Sequence, residues 1–354
     1  MCTRLSYLGP DDRTLTARSM DWKVDIGTNI WTLPRGIERD GKVGPASLTW
    51  TARYGSVVAT AFDEVTTDGV NEAGLVANLL WLPESEYPDW DGESSAMSIS
   101  LWAQYMLDNF ETVAEAVENV RQEDFAVVTA QVPGEDRLAA LHLSLSDATG
   151  DSAIMEFVDG ELVVHHSHDY QVMTNSPTFD KQLALAEYWK EIGGTVMLPG
   201  TNRPADRFVR ARFYADAIPH VEDRRTATAS VFSVIRNVSV PYGISTPDEP
   251  HISSTRWRTV VDHKDLIYYF ESALTPNVFW IELDDIDVSS EADARVLELG
   301  SNQSNTFSGE VSDRMVASEP FTFLGAPPSS NHVIVVSNAE FGRDNPHNTG
   351  GSRS

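Results

Sequence analysis

Met1-Cys2-Thr3-Arg4-Leu5, a turn at Gly9-Pro10-Asp11-Asp12, and then Thr14-Leu15-Thr16-Ala17-Arg18-Ser19-Met20-Asp21-Trp22 form the stretch that decides how this chain reads. Cys2 is the only cysteine in 354 residues. Removal of the initiator Met, favoured by a small residue at position 2, leaves Cys2 first, with a thiol and an α-amine on adjacent carbons. The amine's ordinary pKa is roughly 7.7–8.0, so near neutral pH it can act as the general base for the thiol. A strand over 3–8 paired with one over 13–20 returns Arg18 to residue 2. A guanidinium there favours thiolate, and the Asp21 carboxylate orients the ammonium form of the amine. A lone cysteine is otherwise a small buried hydrophobe. Position 2 beside an Arg/Asp hairpin turns the reading towards a nucleophile, and lipidation lacks the hydrophobic leader it needs.

Composition bounds the rest. Asp and Glu outnumber Lys and Arg 53 to 26, a net charge of −27. That excess argues against nucleic acid and anionic membrane surfaces as partners, and fits a protein kept soluble at high salt. One cysteine allows no intramolecular disulfide. No apolar run approaches the roughly 20 residues of a membrane span, and no signal peptide is visible. Read as it stands, the sequence predicts a cytoplasmic protein; a periplasmic one follows if Met1 replaces a cleaved leader. One domain over 2–340 is expected, with a disordered polar tail over 341–354.

Working outward, short apolar or alternating segments bounded by turn residues predict strands over 29–33, 47–52, 56–62 and 75–82. Ile99, Trp102, Met106 and Phe110 recur at helical spacing over 97–110, and Val113, Ala116, Val117 and Val120 over 112–120. Strands are expected again over 126–132, 138–146, 152–158 and 161–165, with Asp159-Gly160 as a hairpin turn, and over 170–174. Helices follow over 180–192, closed at Gly193-Gly194, over 204–218, opened by Pro204, and over 227–237. Strands return over 256–262, 266–271, 278–283 and, after a weak stretch, 332–337. Each strand group has helices to cover one face. The class is α+β, two stacked antiparallel sheets between helical layers.

An N-terminal thiol needs oxyanion donors and a shaped acyl pocket. Asn175, after a strand and before Pro177, can aim its amide at a developing oxyanion, although such a residue is more often an Asx-turn former. Arg207 and Arg210 share a helix face that taken alone reads as solvated. Trp22 and Trp81 are apolar platforms for an acyl group, or ordinary core. His165-His166-Ser167-His168 has the residue type of a metal cluster, but alternation on a strand splits neighbouring His to opposite faces and no fourth ligand accompanies them. No cofactor is expected.

Several motifs together resemble the choloylglycine hydrolase family, the bile salt hydrolases and penicillin V acylases among N-terminal-nucleophile enzymes. They are the opening Met-Cys-Thr-Arg, Ala17-Arg18-Ser19-Met20-Asp21-Trp22, the run from Thr67-Asp68-Gly69 to Gly74-Leu75, Met173-Thr174-Asn175-Ser176-Pro177, and Leu198-Pro199-Gly200-Thr201-Asn202-Arg203-Pro204 through Arg207. Ser239-Val240-Pro241-Tyr242-Gly243 and Ser254-Thr255-Arg256-Trp257 extend the match, which runs in family order to about residue 283. The resemblance implies an αββα four-layer sandwich. It implies Cys2 as nucleophile, Arg18 beside the thiol, Asp21 on the amine, Asn175 and the Trp81 backbone N–H in the oxyanion hole, and Arg207 bracing the site. Trp22 with Trp81 is similar to the Gram-negative penicillin V acylase branch, which also resembles acyl homoserine lactone acylases. The segment between Asn175 and Arg207 is shorter than in the Gram-positive tetramers.

The expected function is hydrolysis of a linear amide through an acyl-enzyme, on a small N-acyl amide. Penicillin V and N-acyl homoserine lactones rank ahead of conjugated bile salts, because paired Trp suit a flat or linear acyl group. The expected assembly is a homo-oligomer, dimer or tetramer. The rival from another class is a non-catalytic acidic binding domain.

Overall fold

The computed structural model describes residues 2–122, 125–193, 197–244 and 253–326. The strand expected over 332–337, the tail over 341–354 and Gly194 lie outside the described residues. In chain order, β1 (Cys2–Leu8) and β2 (Thr14–Trp22) form a hairpin, followed by β3 (Ile30–Leu33) and a small ribbon of β4 (Glu38–Asp40) and β5 (Thr49–Thr51). A meander of β6 (Ser56–Ala61), β7 (Val65–Asn71) and β8 (Val76–Trp81) comes next. Then β9 (Ala96–Ser98) leads into α1 (Trp102–Asn109) and α2 (Val113–Gln122), and β10 (Ala126–Val128) runs parallel to β9. The middle strands are β11 (Leu141–Ser146), β12 (Ser152–Val158), β13 (Glu161–His166) and β14 (Val172–Met173). Three helices follow, α3 (Phe179–Ile192), α4 (Pro204–Ala217) and α5 (Arg224–Asn237). The chain returns through β15 (Ser254–Asp262), β16 (Ile267–Ser272) and β17 (Val278–Glu282) to short β18 (Arg295–Leu297), β19 (Gly309–Glu310) and β20 (Val316–Ala317).

Among the described residues one sheet has the order β14-β1-β2-β15-β16-β17-β19 and the other β13-β12-β11-β8-β7-β6-β3-β18-β20. Side chains alternate as the period of a strand requires. Val57, Ala59, Val76 and Leu80 join Leu5, Ala17 and Val260 in a core that also takes in Phe208 of α4 and Val231 and Ile235 of α5. Val58, Ala77 and Leu79 turn the other way, onto Trp102 and Met106 of α1. Two sheets therefore stack between helical layers, as expected.

The assignment of strand groups to sheets is corrected. The first hairpin does not pair with its sequence neighbours β3 and β6; β2 pairs with β15, register Arg18↔Thr259, across most of the chain. The early strands β6–β8 and the middle strands β11–β13 share one sheet through β8 and β11. Local hydrophobic pattern fixes which face of a strand is buried, not which edge it joins. The segment over 126–132 is a strand only as far as Val128. Beyond it the chain makes a hairpin-like excursion, closed by Ala139 N–H donating to Ala130 O at 2.9 Å and Val132 N–H to Arg137 O at 2.9 Å. Strand β7 went unread. Its turn to β8 uses Gly74 at φ +88°, where a Cβ would be strained, and Asn71, whose Oδ1 accepts from Ala73 and Leu75 N–H while its Nδ2 donates to Leu107 and Phe110 O. Among the described residues no helix is long and apolar enough to cross a membrane.

Candidate active site

The β1–β2 register places Cys2 opposite Met20 and Arg4 opposite Arg18. Cys2, Arg18, Met20 and Trp22 consequently share one face, and Thr3, Ser19 and Asp21 the other. The thiol face looks into a cavity; the other face meets α4. Cys2 Sγ lies 3.7 Å from Arg18 Nη2 and 3.9 Å from Met20 Sδ. Arg18 is buried and held by Leu79 O at 3.1 Å, Thr67 O at 3.4 Å and Asp68 Oδ2 at 3.8 Å, with its guanidinium 4.6 Å over the Trp257 ring. Burial raises the Asp68 carboxyl, against the pull of Arg18 and hydrogen bonds donated by Tyr268 (2.5 Å) and Asn78 (2.7 Å).

On the opposite face, Cys2 N donates to Asn175 Oδ1 at 2.7 Å. Arg207, fully buried, donates to Cys2 O (2.9 Å), Asn175 Oδ1 (3.0 Å), Asn202 O (3.0 Å) and Thr3 Oγ1, and stands 3.5 Å from Asp21 Oδ2. Burial lowers its pKa, offset by Asp21. Asp21 Oδ1 accepts from Thr255 Oγ1 at 2.6 Å. Cys2, Arg18, Asp21, Asn175 and Arg207 thus meet around one residue, from β1, β2, the turn after β14, and α4. The solvated-face reading of Arg207 and Arg210 is overturned: Arg210 is also buried, tying Pro199 O (2.7 Å) and Thr201 O (2.8 Å) beneath the loop that precedes α4.

Asn175 is not a simple turn former. One Nδ2 proton goes to Trp81 O at 2.5 Å, which leaves the second available to a ligand. Its turn is braced from below. Gln182 donates to Asn175 O and, at 2.6 Å, to Pro177 O, and His142 bridges Thr174 O and Glu156 Oε1, both at 3.0 Å. Burial works to raise Glu156, but hydrogen bonds from His142 and His165 outweigh it and hold the carboxyl at about 2.

On β8, Leu79 O and Trp81 O both point to Arg18 and Asn175, while Leu82 N–H pairs with Ala140 O on the β11 side. A strand residue's N–H and C=O face the same edge. The Trp81 N–H therefore faces the site too. An apolar cavity opens beside Cys2. Met20, Trp22, Ile26, Leu79, Trp81 and Leu141 are among its walls. Trp22 and Trp81 meet edge-on, centroids 5.4 Å apart. Arg137, from the excursion after β10, sits 4.3 Å over Trp81 and pairs with Glu135 at 2.6 Å, which also holds Lys23 at 3.1 Å. Sequence reasoning missed Arg137 and Asp68. Asp68 sits inside the quoted Thr67-Asp68-Gly69 motif; Arg137 had no local signal.

The His run splits as strand alternation requires. His166 pairs with Asp151 at 2.7 Å, and His165 lies 3.6 Å from Glu156. Among the described residues no group of three or more His, Cys, Asp or Glu is arranged to hold a metal ion.

A family model described as linear amide C–N hydrolases, choloylglycine hydrolase family, matches residues 2–296. The chain is 55% identical to a penicillin V acylase of Pectobacterium atrosepticum over 346 residues, covering 92% of each chain. The solved structure of a penicillin V acylase from Agrobacterium tumefaciens superposes with a TM-score of 0.86 at 61% identity, over 92% of this chain and 100% of that one. A bile salt hydrolase/transferase of Clostridium perfringens is more distant, 27% identical over 77% of this chain and 89% of its own length.

Proposed function

The chain belongs to the choloylglycine hydrolase family, hydrolases of linear amide C–N bonds, and from that premise we propose that it cleaves N-acyl amides whose acyl group is flat or linear, penicillin V and N-acyl homoserine lactones ahead of conjugated bile salts. The observation that carries the substrate reading is the cavity itself. The sulfur opens onto apolar walls in which two Trp meet edge-on, a slot for a phenoxyacetyl ring or an alkyl chain.

In the proposed mechanism, removal of Met1 turns Cys2 N into an α-amine that takes the thiol proton. Sγ attacks the amide carbonyl carbon, forming a C–S bond. The second Nδ2 proton of Asn175 and the Trp81 N–H hold the oxyanion. The amine returns the proton to the leaving nitrogen as the C–N bond breaks. Water then attacks the thioester, gives its proton to the amine, and the C–S bond breaks to release the acid and restore the thiol. Asp21 orients the amine, Arg18 stabilises the sulfur's negative charge, and Arg207 holds Cys2 and Asn175 in register. The contacts of Arg18 with Cys2 Sγ and of Arg207 with Cys2 O and Asn175 support their roles, and Asp21 is tied to the site through Arg207 and Thr255.

The test is intact mass of the natively produced protein together with side-by-side kinetics on penicillin V, an N-acyl homoserine lactone and taurocholate. Met1 absent and taurocholate last is the expected result; preferred taurocholate turnover overturns the ranking. Full turnover by protein that retains Met1 refutes the mechanism.

We also infer a homo-oligomer. Leu185, Tyr188 and Ile192 form an exposed stripe along α3, with exposed Met197 beyond its end. Light scattering on the wild type and on Leu185→Glu/Tyr188→Glu checks this. A wild-type protein of monomer mass overturns it.

A further inference from the structure

The matched family model ends at residue 296, and one wall of the acyl cavity comes from beyond it: Leu324. The segment that carries Leu324 is pinned. Its carbonyl accepts from both Ser98 Oγ and Ser100 Oγ at 2.7 Å, and its N–H donates to Glu64 O at 2.9 Å. On either side, Phe323 and Ala326 are buried, and Ala326 N–H donates to Lys42 O at 3.0 Å. The Leu324 side chain therefore projects into the cavity from a fixed backbone.

Its place along the cavity follows from β7. Arg18, which touches the sulfur, reaches Thr67 O on β7, whereas Leu324 is bonded to Glu64, three residues upstream in the turn that leads into β7. At about 3.3 Å per residue, roughly 10 Å of chain separates the two contacts. Ile99 and Ser100, also cavity residues, lie at the Leu324 end through the Ser100 hydrogen bond. Leu324 thus borders the apolar space at a distance from the thiol.

We propose that Leu324 is a specificity-determining residue: it closes the end of the acyl cavity remote from Cys2 and sets the longest straight acyl chain the enzyme accepts. The proposal rests on the acyl-cavity reading above. A chain whose tip reaches Leu324 gains with each methylene until it meets the side chain, and each methylene that finds apolar surface tightens binding about fourfold. A longer chain must displace a pinned segment, so the gain reverses.

The experiment compares wild type, Leu324→Ala and Leu324→Trp on straight-chain N-acyl homoserine lactones from hexanoyl to tetradecanoyl, with penicillin V alongside. Leu324→Trp should move the kcat/KM optimum to shorter chains, losing at least about tenfold more on the longest substrates than on hexanoyl and phenoxyacetyl ones. Leu324→Ala should move the optimum to longer chains. A merely structural role would lower all substrates together. An identical length profile in all three proteins, each shown folded by its melting temperature and by alkylation of Cys2, overturns the proposal. If the wild type cleaves none of these amides, the functional reading fails separately, and the length limit is read by binding. Straight-chain fatty acids are then titrated into each protein by isothermal calorimetry. A tightest-binding acid that is shorter for Leu324→Trp supports the proposal, and one of unchanged length refutes it.

Discussion

Asn175 joins three things at once, and removing its side chain separates them. Its Oδ1 accepts from Cys2 N at 2.7 Å and Arg207 Nη2 at 3.0 Å, and its Nδ2 donates to Trp81 O at 2.5 Å. Under the proposed mechanism, Asn175→Ala deletes an oxyanion donor, a loss of about 10²–10³ in kcat. It also strips partners from three buried groups. Each orphaned group costs about 1–3 kcal/mol. Here the low end applies, because water from the adjoining cavity can replace the lost amide, giving ~3 kcal/mol in all. With about 2.1 cal/mol/K of unfolding entropy per residue over 354 residues, the melting temperature should fall by about 4 °C. Asn175→Asp separates chemistry from scaffolding. It keeps both hydrogen bonds accepted at Oδ1 and, with an oxygen in place of Nδ2, has no second proton to offer an oxyanion. Its kcat should fall as far as that of the alanine variant, with the bonds to Cys2 and Arg207 retained. The assay pairs initial rates on penicillin V with the rate at which iodoacetamide alkylates Cys2, which should stay within about tenfold of wild type if the thiol's own activation is intact. An aspartate variant that keeps more than about a tenth of wild-type kcat, or alkylation that collapses in step with turnover, refutes the oxyanion role.

Thr255→Val removes the hydroxyl that donates to Asp21 at 2.6 Å, a hydrogen bond to a charged group worth ~1.5–3 kcal/mol; kcat/KM should drop about tenfold or more and recover in Thr255→Ser, measured as initial rates. Glu156 is held at about 2 in the fold, below its ordinary value. Its contribution is therefore full above about pH 4.5 and lost as pH falls towards 2, so urea melts should show Glu156→Gln ~3 kcal/mol less stable near neutrality and converging on wild type in acid. His263, bonded to Gly74 O at 2.7 Å and Thr16 Oγ1 at 2.8 Å, is pushed down by burial to about 4. The unfolded chain then binds a proton that the fold refuses, so wild type should lose about 2 kcal/mol between roughly pH 7 and pH 5, a slope that His263→Gln flattens.

Much of the site was legible because its first members are local. A tight turn fixes the register of the opening hairpin, and a two-residue period then puts Arg18 and Trp22 on the face of Cys2 with Asp21 behind it. Asn175 was legible as a residue on a rigid turn, but its partners were not: Gln182, His142 and Trp81 O arrive from a helix and another sheet. Arg207 shows the limit most clearly. Its helix face reads as charged and solvated, and only the docking of α4 against β1 buries it on Cys2 O and Asn175.

By itself the sequence determined a nucleophile with its own base, the hairpin that frames it, an α+β class, and the alternating faces that build two sheets. Tertiary structure decided which strands share a sheet, how Arg207 and Asp68 reach the site, and that Leu324 lines the cavity beside Cys2. The physical reason is that a side-chain period records only which face of an element leaves water. The choice of edge, and the partner that satisfies a buried charge, are set by contacts between distant segments whose closure costs little more for a long loop than for a short one, and so leaves no local mark.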